Sequence, residues 1–419
     1  MSSFQEPPFA RRNFNLLVGD VSTFLIGMAF LDSSTVFPLL VEHLGGSQTL
    51  IGLVLGGKQA MIFLPTLWAA HRLRGRPRYL PFLVKVAFWS RACLFLAALV
   101  LWLFGTRQPS LALAGFCVAY LLLWLGDGLG IVPWMALVGR MIPTAKRGRL
   151  FASTTLASAL VKLGAAWLVG LLLRSNLLPF AASSSLLVLL AGVWMMISWG
   201  FLAALREPPP QEEKPTVEPP PLALGAYLKT LPPFLRQRPA LWRLAAVQTL
   251  ASSTGAAMPF LIGYTGRGNE LAASFLNFQT LGLLLTAPLW GFLTDKLGPR
   301  RALLSLLCMA LVAPLSALSG TLSLYFVAYF CAGAVMEGWS VSTNYLLESV
   351  GDDENQTTAI AVMNAAVAPS LFLPFLMGLA AEKLGPPAAF GMALTLLTLA
   401  LFIARGLPNT RKVRDTNPA

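Results

Sequence analysis

Apolar residues in this chain come in long runs, unlike the one-sided or alternating patterns of a water-soluble fold. The runs recur from Phe14 to Ala404, with few ionisable residues inside them. A bilayer core is about 30 Å thick and a helix rises about 1.5 Å per residue, so about 20 apolar residues span it. Twelve runs meet that length: 14–42, 48–70, 80–104, 110–138, 150–173, 181–204, 240–263, 272–293, 301–319, 322–346, 356–380 and 387–404. The pattern predicts an all-α membrane protein with twelve transmembrane helices. Hydrophobic residues make up 56% of the chain and charged ones 12%, about half the charged share of a typical soluble domain.

The joints between runs alternate in charge. Arginine and lysine crowd one set of joints: Arg11 and Arg12, Arg72 to Arg78, Arg140 to Arg149, Arg206 to Arg243, Lys296 to Arg301, and Arg405 to Arg414. These joints hold 23 of the 31 basic residues, whereas the opposite set has Arg107, Arg174, Arg267 and Lys383 alone. The positive-inside rule then predicts both termini and the central loop in the cytoplasm, with the protein in the cell membrane. The formal charge of +13 is accounted for by this sidedness, so nucleic acid is not expected as a partner. The four cysteines lie within spans and fit no metal-ligand spacing; no metal or cofactor is expected.

The longest polar interruption, 206–239, contains Pro208-Pro209-Pro210 and Pro219-Pro220-Pro221 among charged residues. Such a segment cannot bury a core and reads as a linker. It divides the chain into predicted domains 1–205 and 240–419, with six spans each. The halves are weakly alike. Leu67-Trp68 and Leu289-Trp290 end the second and eighth spans before basic joints; Asp127-Gly128 and Glu337-Gly338 lie deep in the fourth and tenth. Parallel six-helix repeats around a long loop are one architecture of secondary transporters.

The joint after the eighth span reads Gly291-Phe292-Leu293-Thr294-Asp295-Lys296-Leu297-Gly298-Pro299-Arg300-Arg301. It resembles the signature of the major facilitator superfamily between helices eight and nine. The resemblance covers nearly the whole chain. It implies two six-helix bundles around a cavity lined by helices one, four, seven and ten, working by alternating access as a monomer. It assigns Gly291, Asp295, Lys296, Gly298, Arg300 and Arg301 to a gating loop. The first-half copy departs from the signature: His71-Arg72 stand where its acid and cation would be. By the resemblance, Arg140 thereby lacks its usual acidic partner.

Six ionisable residues lie deep in spans: Asp32, Lys58, Arg91, Asp127, Lys162 and Glu337. Each costs about 2.5–3.5 kcal/mol at a helix centre, so they must face the protein interior or a water-filled cavity. Lys58, Arg91, Asp127 and Lys162 each lie 13 residues from a basic joint, ~20 Å from the membrane boundary. Opposite signs on neighbouring helices suggest Asp32 with Lys58, and Asp127 with Arg91 or Lys162. Asp32, Lys58, Asp127, Lys162 and Glu337 are the substrate and proton site candidates, and Arg91 is expected to be a structural partner of Asp127. Glu337 has no deep basic residue in its own half; it is expected to carry a proton while Asp127 organises the charge network. Asp20 lies nearer the cytoplasmic end and carries less weight.

Together these features predict a secondary active transporter for a small organic solute, with protons as the coupling ion. No Walker-type phosphate loop occurs, which argues against an ATP-driven pump. Only two histidines are present, His43 and His71, too few and too far apart for a catalytic cluster, so no enzyme is expected. A non-transporting sensor or scaffold, and a flippase for a lipid-like substrate, remain as alternatives. The lysines suit an anionic or zwitterionic solute if their partner acids leave them free charge. The apolar surroundings suit an amphiphile, and the Asn and Gln of the second half suit a neutral sugar.

Overall fold

A computed structural model describes residues 9–73, 76, 78–174, 178–208, 238–350 and 353–409. Most of the predicted linker, 206–239, lies outside these residues, as do the side chains of Glu337 and His71. The described residues form helices and no strand. The helices are α1 (Ala10–Ala29), α2 (Val36–His43), α3 (Gln48–Leu73), α4 (Leu80–Phe104), α5 (Pro109–Met141), α6 (Thr144–Arg174) and α7 (Phe180–Ala203). They continue with α8 (Pro239–Ala251), α9 (Ser253–Ala257), α10 (Pro259–Tyr264), α11 (Gly268–Leu297), α12 (Pro299–Leu318) and α13 (Leu322–Val350). The last are α14 (Asp353–Ala366), α15 (Leu373–Leu384) and α16 (Pro386–Arg405), with a 3-10 turn at Ala368–Phe372.

Among the described residues, nine helices are long and apolar enough to cross a membrane: α3 to α7, α11 to α13 and α16. Three of the runs expected as single helices are interrupted instead. The run 14–42 breaks between α1 and α2, at the polar sequence Asp32-Ser33-Ser34-Thr35. The run 240–263 divides into α8, α9 and α10, where Pro259 has no N–H to continue the ladder. The run 356–380 breaks at the 3-10 turn, next to Pro369 and Pro374. Hydropathy registers apolar length and is blind to such breaks. Irregular backbone at membrane depth persists only where protein buries it or it lines a cavity.

The chain forms two compact units. Unit 1 comprises 1–46, 57–220 and 269–273; unit 2 comprises 47–56, 221–268 and 274–419. In unit 1, α4 packs on α5 and α7, and α1 packs on α6 and α7. Leu17, Leu83, Leu137, Met141, Leu150 and Leu202 fill one buried cluster there. In unit 2, α12 packs on α13 and α16, with Leu244, Trp290, Leu306, Tyr345 and Leu397 in the core. The carboxylate of Glu382 accepts the Thr49 backbone N–H at 2.8 Å, satisfying a donor at the start of α3 within unit 2.

Candidate functional site

Two glycines place the fourth-span acid. A Cβ at Gly126 would collide with the Ser90 side chain of α4, and one at Gly128 would collide with the Met61 and Ile62 carbonyls of α3. Thr66 Oγ1 also donates to the Gly128 carbonyl at 2.9 Å. The small residues let α5 press against both neighbours. Asp127, between them in sequence, interacts electrostatically with Arg91 of α4 and Lys58 of α3. The Gly126-Asp127-Gly128 triplet is therefore a junction of two clusters.

The first cluster surrounds the break after α1. Asp32 Oδ1 accepts the Ser34 N–H at 3.0 Å, the Ser34 hydroxyl at 2.8 Å and the Thr35 hydroxyl at 2.9 Å. The Asp32 carbonyl accepts the Phe37 N–H at 2.9 Å. Asp32 thus holds the turn that starts α2. The expected Asp32–Lys58 ion pair does not form within 4.0 Å among the described residues. Lys58 donates to the Ser33 hydroxyl at 2.8 Å instead, and Asp32 acts on it through its field. The Lys58 ammonium lies 4.1 Å from the Trp124 ring centre, a cation–π distance. Ser33 and Tyr120 share a 2.9 Å hydrogen bond, and Tyr120 stacks on Phe37 at 4.5 Å. Lys162 of α6 also lies within the field of Asp32. Asp32, Lys58, Asp127 and Lys162 are all half-buried, so part of each remains accessible.

The second cluster centres on a buried ion pair. Arg91 was expected to partner Asp127; its ion pair is with Asp20, at 3.8 Å, and it donates to the Met195 carbonyl at 3.3 Å. Asp20 accepts bonds from the Ser198 hydroxyl and, at 3.2 Å, from Trp134 Nε1. Asp20 is 3% exposed and Arg91 7%, so Asp20 is no interfacial residue. A cavity of about 350 Å³ within unit 1 is lined by Asp20, Ser90, Arg91, Asp127 and Trp134 among others. Distance from the membrane boundary hid Asp20 in the sequence, because its partners come from α4, α5 and α7, up to 178 positions away. The apolar run on either side of it, Leu16 to Ile26, was the available signal.

Arg140 has an acid after all. Its guanidinium lies 3.3 Å from Glu207, just past the end of α7, and 4.4 Å from the Tyr79 ring centre. Glu207 also accepts the backbone N–H groups of Tyr79 and Leu80 at 3.0–3.1 Å, at the start of α4. A carboxylate there meets both a cation and the positive end of the helix. Glu207→Ala should lower stability by ~1–2 kcal/mol through loss of these N-terminal bonds, read as a fall in melting temperature of the detergent-solubilised protein. An unchanged melting temperature would show that the contact contributes nothing.

The loop signature is all in unit 2. Gly298 joins α11 to α12 at φ +83°, a left-handed conformation that explains glycine at this place. Arg300 donates to the Arg405 carbonyl at 2.6 Å and Arg243 to the Gly406 carbonyl at 2.6 Å, satisfying carbonyls at the C-terminal end of α16. Lys296 lies 4.6 Å from the Phe292 ring centre. Gly291, Asp295 and Arg301 are exposed. Glu337 lies on α13, and the following Gly338 meets Leu306 and Trp290.

Its long apolar helices, with paired charges inside them, make this a multi-pass α-helical membrane protein. Its structure is similar to the D-xylose-proton symporter (TM-score 0.69, 13% identity, 96% of this chain and 98% of that one). It is similar to the nucleoside transporter NupG (TM-score 0.63, 12% identity, 95% and 98% coverage) and to the E. coli fucose:proton symporter (TM-score 0.59, 14% identity, 95% and 99% coverage). At these identities the likeness is one of fold. No curated protein matches the chain in sequence. Residues 249–419 match the family model of the Major Facilitator Superfamily.

Proposed function

We propose that this protein is a secondary active transporter that moves a small organic solute by alternating access, coupled to protons. The observation that carries this reading is the half-buried group Asp32, Lys58, Asp127 and Lys162 at membrane depth in unit 1. Charges there are costly and are typical of substrate and ion pathways. In this reading twelve spans form bundles 1–205 and 240–419, joined by the cytoplasmic loop 206–239, with both termini cytoplasmic and the protein a monomer in the cell membrane. Asp295 and its neighbours gate the exchange between two orientations. Proton-coupled solute transport by the xylose and fucose symporters supports the analogy, although it rests on fold.

The test is reconstitution of the full chain in proteoliposomes with an entrapped pH dye. A panel of sugars, nucleosides, amino acids, organic acids and amines is added outside under an imposed pH gradient. At least one solute should accumulate and move protons with it. Vesicles in which no solute produces either signal above protein-free controls would exclude the proposal.

A further inference from the structure

Lys162 is the exception among the deep cations of unit 1. Among the described residues, Arg91 has Asp20, and Lys58 has Ser33 and the Trp124 face. Among the described residues, no hydrogen bond and no ion pair within 4.0 Å holds Lys162, and the acid whose field reaches it is Asp32. Asp32 is poorly placed to neutralise it, because Oδ1 is committed to three donors of its own turn. An ammonium without a partner at membrane depth is expensive, unless a ligand or water completes its shell. Lys58 shares the same acid and presents a second positive charge to it. Both lysines are half-buried, so they remain reachable.

The charge balance points the same way. Within unit 1 the deep residues Lys58, Arg91 and Lys162 face the deep residues Asp20, Asp32 and Asp127. Arg91 and its ion-pair partner Asp20 neutralise each other in the pocket beside Asp127. Away from that pair, both ammonium groups lie in the field of Asp32, already bound by its turn, and Lys58 alone also feels Asp127, which Arg91 shares. A cationic solute would meet two like charges there. A neutral solute would leave Lys162 unpaired.

Resting on the transporter reading above, we propose that the solute is a small organic anion whose carboxylate binds Lys162, with Lys58 as the second cation. The anion moves together with a proton, so that no net charge crosses the membrane. Lys162 is a substrate-binding residue in this assignment. Lys58, fixed by Ser33 and Trp124, is a positioning residue that supplies field and shape.

The probes are lactate, benzoate and octanoate, each beside its amide and the matching amine, titrated into the purified full chain and followed by tryptophan fluorescence and melting temperature. At least one acid should bind while its amide does not. Lys162→Gln should weaken that acid about 10- to 100-fold, the range of a lost charged hydrogen bond, and Lys162→Arg should retain it. Lys85→Gln, an exposed residue of α4, should bind like the parent. Removing an unpaired cation leaves no orphaned acid, so Lys162→Gln should fold; its melting temperature without ligand checks this. The assignment is overturned if no acid binds, if amide and acid bind alike, or if Lys162→Gln keeps the parent's affinity. In proteoliposomes, acid uptake should follow a pH gradient and be indifferent to a potassium diffusion potential set with valinomycin. Uptake that responds to the potential overturns the neutral stoichiometry. Acid binding without flux would defeat the transport reading and spare the anion site. Proton-linked uptake of a sugar or amine, with no acid bound, would do the reverse.

Discussion

Asp20→Asn should destabilise the protein by ~3–5 kcal/mol, the cost of leaving a buried guanidinium without its acid. Arg91 is buried with Asp20 at 3.8 Å, and the Met195 carbonyl at 3.3 Å cannot neutralise it. Asp20 also anchors α5 through Trp134 and α7 through Ser198, so three helices lose a common tie. Combining Asp20→Asn with Arg91→Met should recover part of the loss, because the orphaned charge goes too. Asp127→Asn should cost less, since Arg91 keeps Asp20. The measurement is thermal unfolding in detergent for the two singles and the double. If the Asp20 and Arg91 effects simply add, or if Asp127→Asn is the more damaging single change, Arg91 depends chiefly on Asp127 instead.

The second large effect concerns coupling. Glu337→Gln is expected to abolish accumulation driven by a pH gradient while solute exchange between the two sides stays measurable. The second half of the chain offers no deep basic residue to balance this acid. The amide is the uncharged isostere of a protonated carboxyl and keeps that form at every pH. One pH unit is worth about 1.4 kcal/mol, a tenfold accumulation for one coupled proton; the variant should show none of it. Asp127→Asn should instead tighten binding of an anionic solute, because Lys58 and Arg91 lose the negative charge they share. Parent-like pH-driven accumulation by the Glu337→Gln protein would remove Glu337 from the proton pathway. Asp127 would then be the next acid to test.

The sequence by itself determined the class of protein and where costly charges lie. Length and apolarity suffice for that, because a bilayer demands about 20 apolar residues per helix and penalises every charge among them. The loop from Gly291 to Arg301 carried the family resemblance on local residues alone. Pairing was another matter. Asp20 meets Ser198, Glu207 meets Arg140, and Lys58 meets Ser33 across gaps of 178, 67 and 25 residues. Spacing along the chain contains no rule for such contacts. The break at Asp32 was equally hidden, since hydropathy sums over it while the carboxylate bonds to its own turn. Only the tertiary structure decided which acid each cation received. Among the described residues it gives Lys162 the field of Asp32 and no ion pair.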